Sequence, residues 1–349
     1  MTRTMTVAGR RTGAGQASYI IAELSANHNG DLARAFAVME AAKRAGADAV
    51  KLQTYTADTM TIDHSGPGFR IEGGLWHGRQ LYELYQQAQT PWAWHEALFA
   101  KGRELGITVF STPFDATAVD LLESLAAPVY KIASFEVVDI PLIRRVAATG
   151  KPIIMSTGIA DLGEIAEAVA AARAAGCREL ALLHCVSAYP APAEDMNLRT
   201  IASLGDAFDV VVGLSDHTLG TAVSVAAVAL GASLIEKHVT LDRAAGGPDS
   251  SFSLEPAELA QLVDHCRMAN AAIGKVSYAR EASENANLAF RRSIYVVKDL
   301  PAGGVLTPEH VRVIRPGFGL APRHLDSVLG KRARRMLARG TPLAWDAIE

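Results

Sequence analysis

Eight short, continuously apolar runs, each followed by a longer Ala-rich segment with helical spacing, dominate the chain from Tyr19 to Gly274. The runs do not alternate apolar with polar residues, which is the pattern of parallel strands covered by helices. Eight strand–helix units predict an α/β fold, the (β/α)8 TIM barrel. An open doubly wound sheet is the weaker alternative, because no GxGxxG motif opens the first helix. The predicted strands are Tyr19–Glu23, Ala49–Gln53, Ile107–Ser111, Val129–Ile132, Ile153–Ser156, Leu180–Cys185, Val210–Leu214 and Ser233–His238.

The regions that flank this repeat have a different composition. Residues 1–17 contain no apolar segment of a secretory signal and are predicted to form a disordered tail. The barrel is predicted to span 18–275, and the polar residues 276–290 to form a linker. Short β patterns and turn signals in 291–349 predict a small β-rich domain. Roughly 60 residues make a marginal core, so we expect this domain to dock on a barrel, its own or a neighbour's.

The overall composition narrows the class of partner. The chain has 349 residues, of which 49% are hydrophobic, and a net charge of −3, so there is no general basic field for nucleic acid. No apolar run approaches the roughly 18 residues of a membrane span. Three cysteines without CxxC spacing favour a reducing compartment. The expected protein is cytoplasmic, with small-molecule substrates.

Two histidines, His217 and His238, end consecutive predicted strands. Side-chain alternation places Ser215 with His217 and Glu236 with His238 on inward faces. A single histidine at a strand end is commonly a hydrogen-bonded barrel residue. Two on neighbouring strands with carboxylates nearby predict a divalent metal site that keeps positions open for substrate. The candidate nearby acids are Asp216, Glu236 and Asp249.

Two lysines, Lys51 and Lys131, end the second and fourth predicted strands on inward faces. A structural ion pair would account for one buried lysine. Two lysines beside hydroxyl groups favour a site for phosphate or carboxylate. The hydroxyl residues are Thr112, Ser134 and Ser156. Backbone N–H groups of the turn Ser156–Gly158 could add to this site, although serine and glycine are also ordinary turn residues.

Three further features belong to the same end of the barrel. Glu23 ends the first strand and could bind sugar hydroxyls, orient the metal or transfer protons. Tyr189 follows the sixth strand and is either a sugar contact or a packing residue. The long segment from Thr54 to Pro91 follows the second strand, and it forms either a lid or a surface insertion.

At these residues the chain resembles the sialic acid synthase family, the nonulosonate synthases, from Tyr19 to its C-terminus. The C-terminal region, with Arg291–Ser293 and Ile314–Gly317, resembles the antifreeze-like (SAF) domain of that family. The motifs that carry the resemblance are Ile21–Gly30 (IAELSANHNG), Val50–Gln53 (VKLQ), Ser111–Asp115 (STPFD), Tyr130–Glu136 (YKIASFE), Met155–Gly158 (MSTG), Gly213–Gly220 (GLSDHTLG), Ile235–Thr240 (IEKHVT) and Gly247–Asp249 (GPD).

The resemblance implies condensation of phosphoenolpyruvate with an N-acylated aldose to give a nine-carbon 2-keto acid and phosphate. It implies that His217 and His238 bind a divalent metal, Mn²⁺ first and Mg²⁺ or Co²⁺ otherwise. The positions that match phosphoenolpyruvate-binding residues are Lys51, Lys131, Thr112, Ser134, Ser156 and Ser215. The positions that match sugar-binding or water-orienting residues are Glu23, Gln53, Glu136, Tyr189 and Asp249. It also implies a domain-swapped homodimer in which Arg315 contacts the N-acyl group of the sugar in the partner's barrel.

Within the family, Ser187–Pro192 (SAYPAP) and Gly247–Ser253 (GPDSSFS) resemble the branch that makes pseudaminic acid. Relatives that make N-acetylneuraminate usually carry Asn in place of Ser187 and His in place of Ser250. The expected sugar is 2,4-diacetamido-2,4,6-trideoxy-L-altrose. An enzyme of the same family that makes N-acetylneuraminate or legionaminate is the first alternative. A metal-dependent aldolase or isomerase on the same barrel is an alternative of another class.

Overall fold

The structure, a computed structural model, describes residues 3–349. The chain divides into two compact units between Gly274 and Lys275. In the described residues no helix is long and apolar enough to cross a membrane.

The first unit begins with a β-hairpin, so the prediction of a disordered tail is wrong for residues 4–13. Strands β1 (Thr4–Val7) and β2 (Arg10–Gly13) pair antiparallel. Met5 and Val7 alternate toward the barrel interior, where they are buried against the inward side chains of the barrel strands. Burial of these two side chains provides the free energy that orders the hairpin.

Eight parallel strands then close into a barrel, which confirms the predicted TIM barrel and excludes the open sheet. The last strand pairs in register with the first, so no edge remains. Each predicted strand overlaps an observed one, and the ends differ by at most two residues. The strands are β3 (Tyr19–Glu23), β4 (Ala49–Thr54), β5 (Thr108–Pro113), β6 (Tyr130–Ile132), β7 (Ile153–Ser156), β8 (Leu180–Cys185), β9 (Val211–Asp216) and β10 (Leu234–His238).

Helices cover the outside of this barrel. Several begin at an aspartate that accepts hydrogen bonds from backbone N–H groups of the first turn, as at Asp31, Asp115, Asp139 and Asp161. Two short helices, α2 and α3, lie in the long segment after β4. The helices of this unit are α1 (Leu32–Arg44), α2 (Ala57–Met60), α3 (Leu81–Ala88), α4 (His95–Leu105), α5 (Ala116–Ser124), α6 (Ile140–Ala147), α7 (Leu162–Ala174), α8 (Thr200–Phe208), α9 (Ala222–Ala229) and α10 (Pro256–Ile273).

The alternation of side chains along the strands creates two apolar layers. Outward residues such as Ile20, Val50 and Ile235 pack against the helices. Inward residues at the start of the strands, among them Ile21 and Phe110, fill the lower half of the barrel. The next inward positions toward the C-terminal ends carry polar side chains, and these form the candidate site.

The second unit has a small core of its own. Residues 276–287 of the predicted linker are all exposed, and Ala282–Phe290 form 3-10 turns. Strands β11 (Ser293–Val296) and β12 (Val311–Ile314) pair antiparallel, and the helix α11 (Leu325–Val328) follows. The core residues are Ile294, Val296, Leu300, Leu306, Val311, Val328, Ala333, Leu337, Leu343, Ala347 and Ile348.

Candidate active site

Glu236 on β10 lies at the centre of a buried cluster of charged side chains. Its Oε1 lies 3.0 Å from Nζ of Lys131 on β6 and 3.5 Å from Nζ of Lys51 on β4. The hydroxyl of Ser215 on β9 donates to the same oxygen at 3.3 Å. Lys51 Nζ is also 2.6 Å from Glu23 Oε2 and donates to Thr112 Oγ1 at 3.1 Å. Six strands thus bring polar side chains from their C-terminal ends together.

The carboxyl groups of Glu23 and Glu236 have pKa values that are shifted in opposite directions. Burial raises the pKa of Glu23 to about 7, because Lys51 opposes the effect only in part and the charge on Glu236 adds to it. Burial also acts on Glu236, but Lys131 and Lys51 outweigh it and hold its pKa at about 2. Two lysines therefore face one firmly ionised carboxylate, which leaves positive charge for an anionic ligand.

Hydroxyl groups and a glycine border the Lys131 side of the cluster. Gly158 N donates to Ser134 Oγ at 3.1 Å. A Cβ at Gly158 would lie 2.3 Å from Ser187 Oγ and 2.8 Å from Ser134 Oγ, so only glycine fits there. Ser156 Oγ is buried and has no hydrogen-bond partner within residues 3–349. A ligand hydrogen-bonded to Ser156 would satisfy this group.

The two predicted metal-binding histidines face each other across β9 and β10, with ring centroids 5.5 Å apart. His217 Nδ1 lies 3.0 Å from the Val186 carbonyl oxygen. A proton on Nδ1 leaves Nε2 free to ligate, as is common for metal-bound histidine. His238 Nδ1 is buried without a partner among the described residues. Burial, with a smaller effect of His217, holds the pKa of His238 well below its usual value, which favours the neutral ring.

Aromatic side chains surround the histidine pair. The Tyr189 ring lies 4.3 Å from the His217 ring, 5.2 Å from Phe252 and 5.4 Å from Trp76, measured between centroids. Nearby, the Asp249 carboxylate accepts hydrogen bonds from the Ser25 hydroxyl and, at 3.4 Å, from the Ala26 backbone N–H. Burial raises the pKa of Asp249. The loops after β3, β8 and β10 thus form one rim.

A cavity of about 410 Å³ opens beside this rim. Its lining includes Ser25 and five of the predicted site residues, which are Gln53, Glu136, Tyr189, His238 and Asp249. Burial raises the pKa of Glu136 to about 7, and its Oε2 has no partner among the residues described. The volume is within the range of sites for small ligands.

Two further candidates are Asp216 and Arg315. Asp216, proposed as an acid near the metal, points outward, so that prediction is wrong. It pairs at 3.0 Å with Lys237, and both side chains are completely buried. Arg315 belongs to the second unit and is exposed just after β12.

Glu236 was predicted only as an acid near the metal. Its contacts with Lys51 and Lys131 were not predicted. Its inward parity on β10 was the available signal, since Lys51 and Lys131 share that parity on β4 and β6.

Comparison with known proteins identifies the family. The model of the NeuB family matches residues 38–278, and that of the SAF domain matches residues 291–349. The chain belongs to the NeuB family. This confirms the resemblance that the motifs indicated and the antifreeze-like domain at the C-terminus.

Individual relatives of this NeuB-family chain agree. It is 44% identical over 331 residues to the pseudaminic acid synthase of Helicobacter pylori, covering 95% of this chain and 97% of the relative. It is 37% identical to the N,N'-diacetyllegionaminic acid synthase of Legionella pneumophila, covering 97% and 96%. The crystal structure of N-acetylneuraminic acid synthetase from Leptospira borgpetersenii in complex with citrate has a TM-score of 0.74 and 31% identity, covering 82% of this chain and 96% of that one.

Proposed function

We propose that this protein is a pseudaminic acid synthase, a carbon–carbon bond-forming transferase. It condenses phosphoenolpyruvate with 2,4-diacetamido-2,4,6-trideoxy-L-altrose and water to give pseudaminic acid and phosphate. The observation that carries the proposal is the cluster of Lys51, Lys131 and Glu236 beside the histidine pair, in a chain so similar to the Helicobacter pylori pseudaminic acid synthase.

Phosphoenolpyruvate binds at the lysine cluster. Its phosphate and carboxylate groups are anionic, and Lys51 and Lys131 share one firmly ionised carboxylate in their absence. Ser156 Oγ supplies a donor that has no other partner in the described chain. Charge-assisted hydrogen bonds of this kind are about twice as strong as neutral ones. The site is buried, so water competes little with these contacts.

A divalent metal, Mn²⁺ in the first place, binds at His217 and His238. The ring centroids of His217 and His238 are 5.5 Å apart, so a nitrogen of each ring could hold the same ion. No three His, Cys, Asp or Glu side chains within residues 3–349 are grouped for a metal. Two histidines are consistent with an open site that keeps positions for substrate. When bound, the ion supplies Lewis-acid polarisation of the sugar aldehyde.

The rest of the reaction requires the two substrates to be held in position and protons to be transferred. Carbon 3 of phosphoenolpyruvate bonds to the aldehyde carbon, whose oxygen takes up a proton. A water oxygen bonds to carbon 2 and loses its proton. The carbon 2–oxygen bond to phosphate then breaks as the new hydroxyl group at carbon 2 passes its remaining proton to the departing phosphate, which leaves the keto group. Glu23 is suited to hold or accept a proton near neutral pH, because burial raises its pKa to about 7.

Phosphate release tests the proposal directly. Purified protein with Mn²⁺, phosphoenolpyruvate and the altrose sugar should release phosphate and form the nine-carbon keto acid in equal amounts. Formation of the keto acid from the sugar and pyruvate, supplied in place of phosphoenolpyruvate and without phosphate release, would indicate an aldolase instead. Absence of both products with every N-acylated sugar tested would refute the proposed function.

The metal site has its own test. His238→Ala should abolish turnover and weaken Mn²⁺ binding by calorimetry, with the circular dichroism spectrum unchanged. The adjacent Glu23→Gln variant is a control, since it should keep Mn²⁺ binding. Normal Mn²⁺ affinity in His238→Ala would contradict the assignment of the ligand.

A second candidate is a legionaminate or N-acetylneuraminate synthase. It is favoured by the similarity to the Legionella pneumophila and Leptospira borgpetersenii proteins. Side-by-side kcat/KM values for the three sugars separate the candidates, and the altrose sugar is expected to give the largest value.

We also propose a cytoplasmic, domain-swapped homodimer. Cys177, Cys185 and Cys266 are all free, which suits a reducing compartment. Arg315 is exposed after β12, where it is accessible to a partner. It would contact the N-acyl group of the sugar bound by the partner subunit.

A further inference from the structure

The cavity beside the histidine pair has two chemically different walls. The barrel contributes the polar wall, which includes His238, Glu136 and Asp249. Most of the apolar lining belongs to the long segment after β4. Leu81, Leu84, Tyr85 and Ala88 all line the cavity.

These four residues occupy one stripe of α3, because they are spaced at i, i+3, i+4 and i+7. A helix of a globular protein normally buries its apolar stripe against other side chains. Here the stripe borders an open volume of about 410 Å³ that leads to His238. Leu84 and Ala88 are mostly buried by the protein itself, Leu81 and Tyr85 are half-buried, and all four border the cavity. Apolar residues in a cavity that also holds the polar groups beside His238 suit a small ligand with one apolar end.

The proposed function gives the orientation of that ligand. With the aldehyde end of the sugar at the histidine pair, the end furthest from the aldehyde extends along the cavity, whose lining includes both His238 and the α3 residues. Carbon 6 is a methyl group in a 6-deoxy sugar and a hydroxymethyl group in an ordinary hexose. A hydroxyl buried against leucine side chains would lose its hydrogen bonds to water without replacement.

We propose that the apolar stripe of α3 selects a 6-deoxy sugar by binding its methyl end, with Leu81 and Leu84 as specificity-determining residues. This inference rests on the proposed function and adds the discriminating contact. It differs from the discrimination between sugars that the sequence predicts at Ser187 and Ser250, because those residues lie on other loops.

The experiment compares two sugars that differ only at carbon 6. They are 2,4-diacetamido-2,4,6-trideoxy-L-altrose and its 6-hydroxy counterpart. The wild-type enzyme should prefer the methyl sugar by at least about tenfold in kcat/KM, the lower end of what one small group contributes. Leu84→Asn, close in size but polar, should reduce this preference to about threefold or less. The KM for phosphoenolpyruvate should change by less than about twofold.

Three further variants make the result decisive. Leu81→Asn repeats the test at a half-buried position, in case Leu84→Asn does not fold. Leu84→Met keeps the apolar surface and should keep the preference. Leu230→Asn, just after α9 and 43% exposed, controls for the substitution itself. Equal use of both sugars by the wild type, or a preference that survives both Asn variants, would overturn the inference alone. Absence of phosphate release with either sugar would overturn the proposed function as well.

Discussion

Single residues in this barrel acquire different properties from the same degree of burial. Glu23 and Glu236 are both buried and both face Lys51, yet their pKa values move in opposite directions. The difference is the second lysine, because Lys131 lies 3.0 Å from Glu236. One carboxyl is thus a fixed anion that orders the lysines, and the other can exchange a proton near neutral pH. Two glutamates therefore serve different purposes in the same cluster. Glu23 can transfer a proton, and Glu236 orders the lysines of the anion site.

Glu136 offers a pH-dependent prediction. Burial raises its pKa to about 7 from an ordinary value near 4.5, so the folded state binds its proton more tightly than the unfolded state. The stabilisation is fully present below about pH 4.5 and is lost as pH rises to about 7. Between pH 5 and 8 the wild-type free energy of unfolding should fall by roughly 2 kcal/mol more than that of Glu136→Gln, after a discount for partial exposure.

Urea unfolding of both proteins at several pH values measures this difference. Glu309→Gln is the control, since Glu309 is exposed and its pKa is lowered by Lys298. Parallel pH curves for the wild type and Glu136→Gln would contradict the prediction.

Among the secondary-structure elements, the barrel strands were predicted from the sequence. The short β1–β2 hairpin and the helix α3 were not. The eight barrel strands are continuous apolar runs, and burial on both faces leaves that pattern in any sequence. The β1–β2 hairpin was missed because arginines and glycines dominate it and only Met5 and Val7 mark an inward face. The helix α3 was missed because its apolar stripe lies within a glycine-rich segment. The stripe lines the cavity, although Leu84 and Ala88 are also buried by protein.

The alternation of side chains along the strands correctly predicted which residues of the candidate site point into the barrel. It placed Lys51 and Glu236 inward and Lys237 outward, as observed. Asp216 was predicted as an acid near the metal, although alternation turns it outward. The hydrogen bonds of Asp249 with the loop after β3 depend on loop conformation, which no local pattern encodes.

The buried ion pair between Asp216 and Lys237 leads to a prediction about the stability of the barrel. These residues precede His217 and His238, and their ion pair joins the ends of β9 and β10 on the outer face. Asp216 also accepts hydrogen bonds from Thr218 N, Thr218 Oγ1 and Ser224 Oγ. Asp216→Ala leaves a buried ammonium group without a charge partner and should cost about 3–5 kcal/mol. Lys237→Met should cost less, because Asp216 keeps its three neutral donors.

Urea unfolding of both single variants and of the double variant measures the coupling. The double variant should be more stable than Asp216→Ala alone, since it removes the unpaired charge. A cost for Lys237→Met equal to or above that of Asp216→Ala would contradict the argument. Mn²⁺ affinity measured on the same variants reports how far the pair positions the two histidines.

On the scale of the whole molecule, the barrel and the antifreeze-like unit have separate cores. The second unit has eleven buried apolar residues in its core, few for an independent domain. In the proposed homodimer this unit docks on the partner's barrel. The sugar site is then complete only when two chains associate, and activity depends on protein concentration.

Mixed dimers test this arrangement. Arg315→Ala and His238→Ala should each be nearly inactive as homodimers, because each removes one contribution from every site. In a heterodimer, one site pairs the intact barrel of the Arg315→Ala chain with the intact Arg315 of the other chain. A mixture that exchanges subunits fully should therefore recover up to about a quarter of wild-type turnover, since half of its dimers are mixed and each has one complete site. If Arg315 instead served its own barrel, mixing would restore nothing, and differently tagged chains that co-purify would show that exchange had occurred.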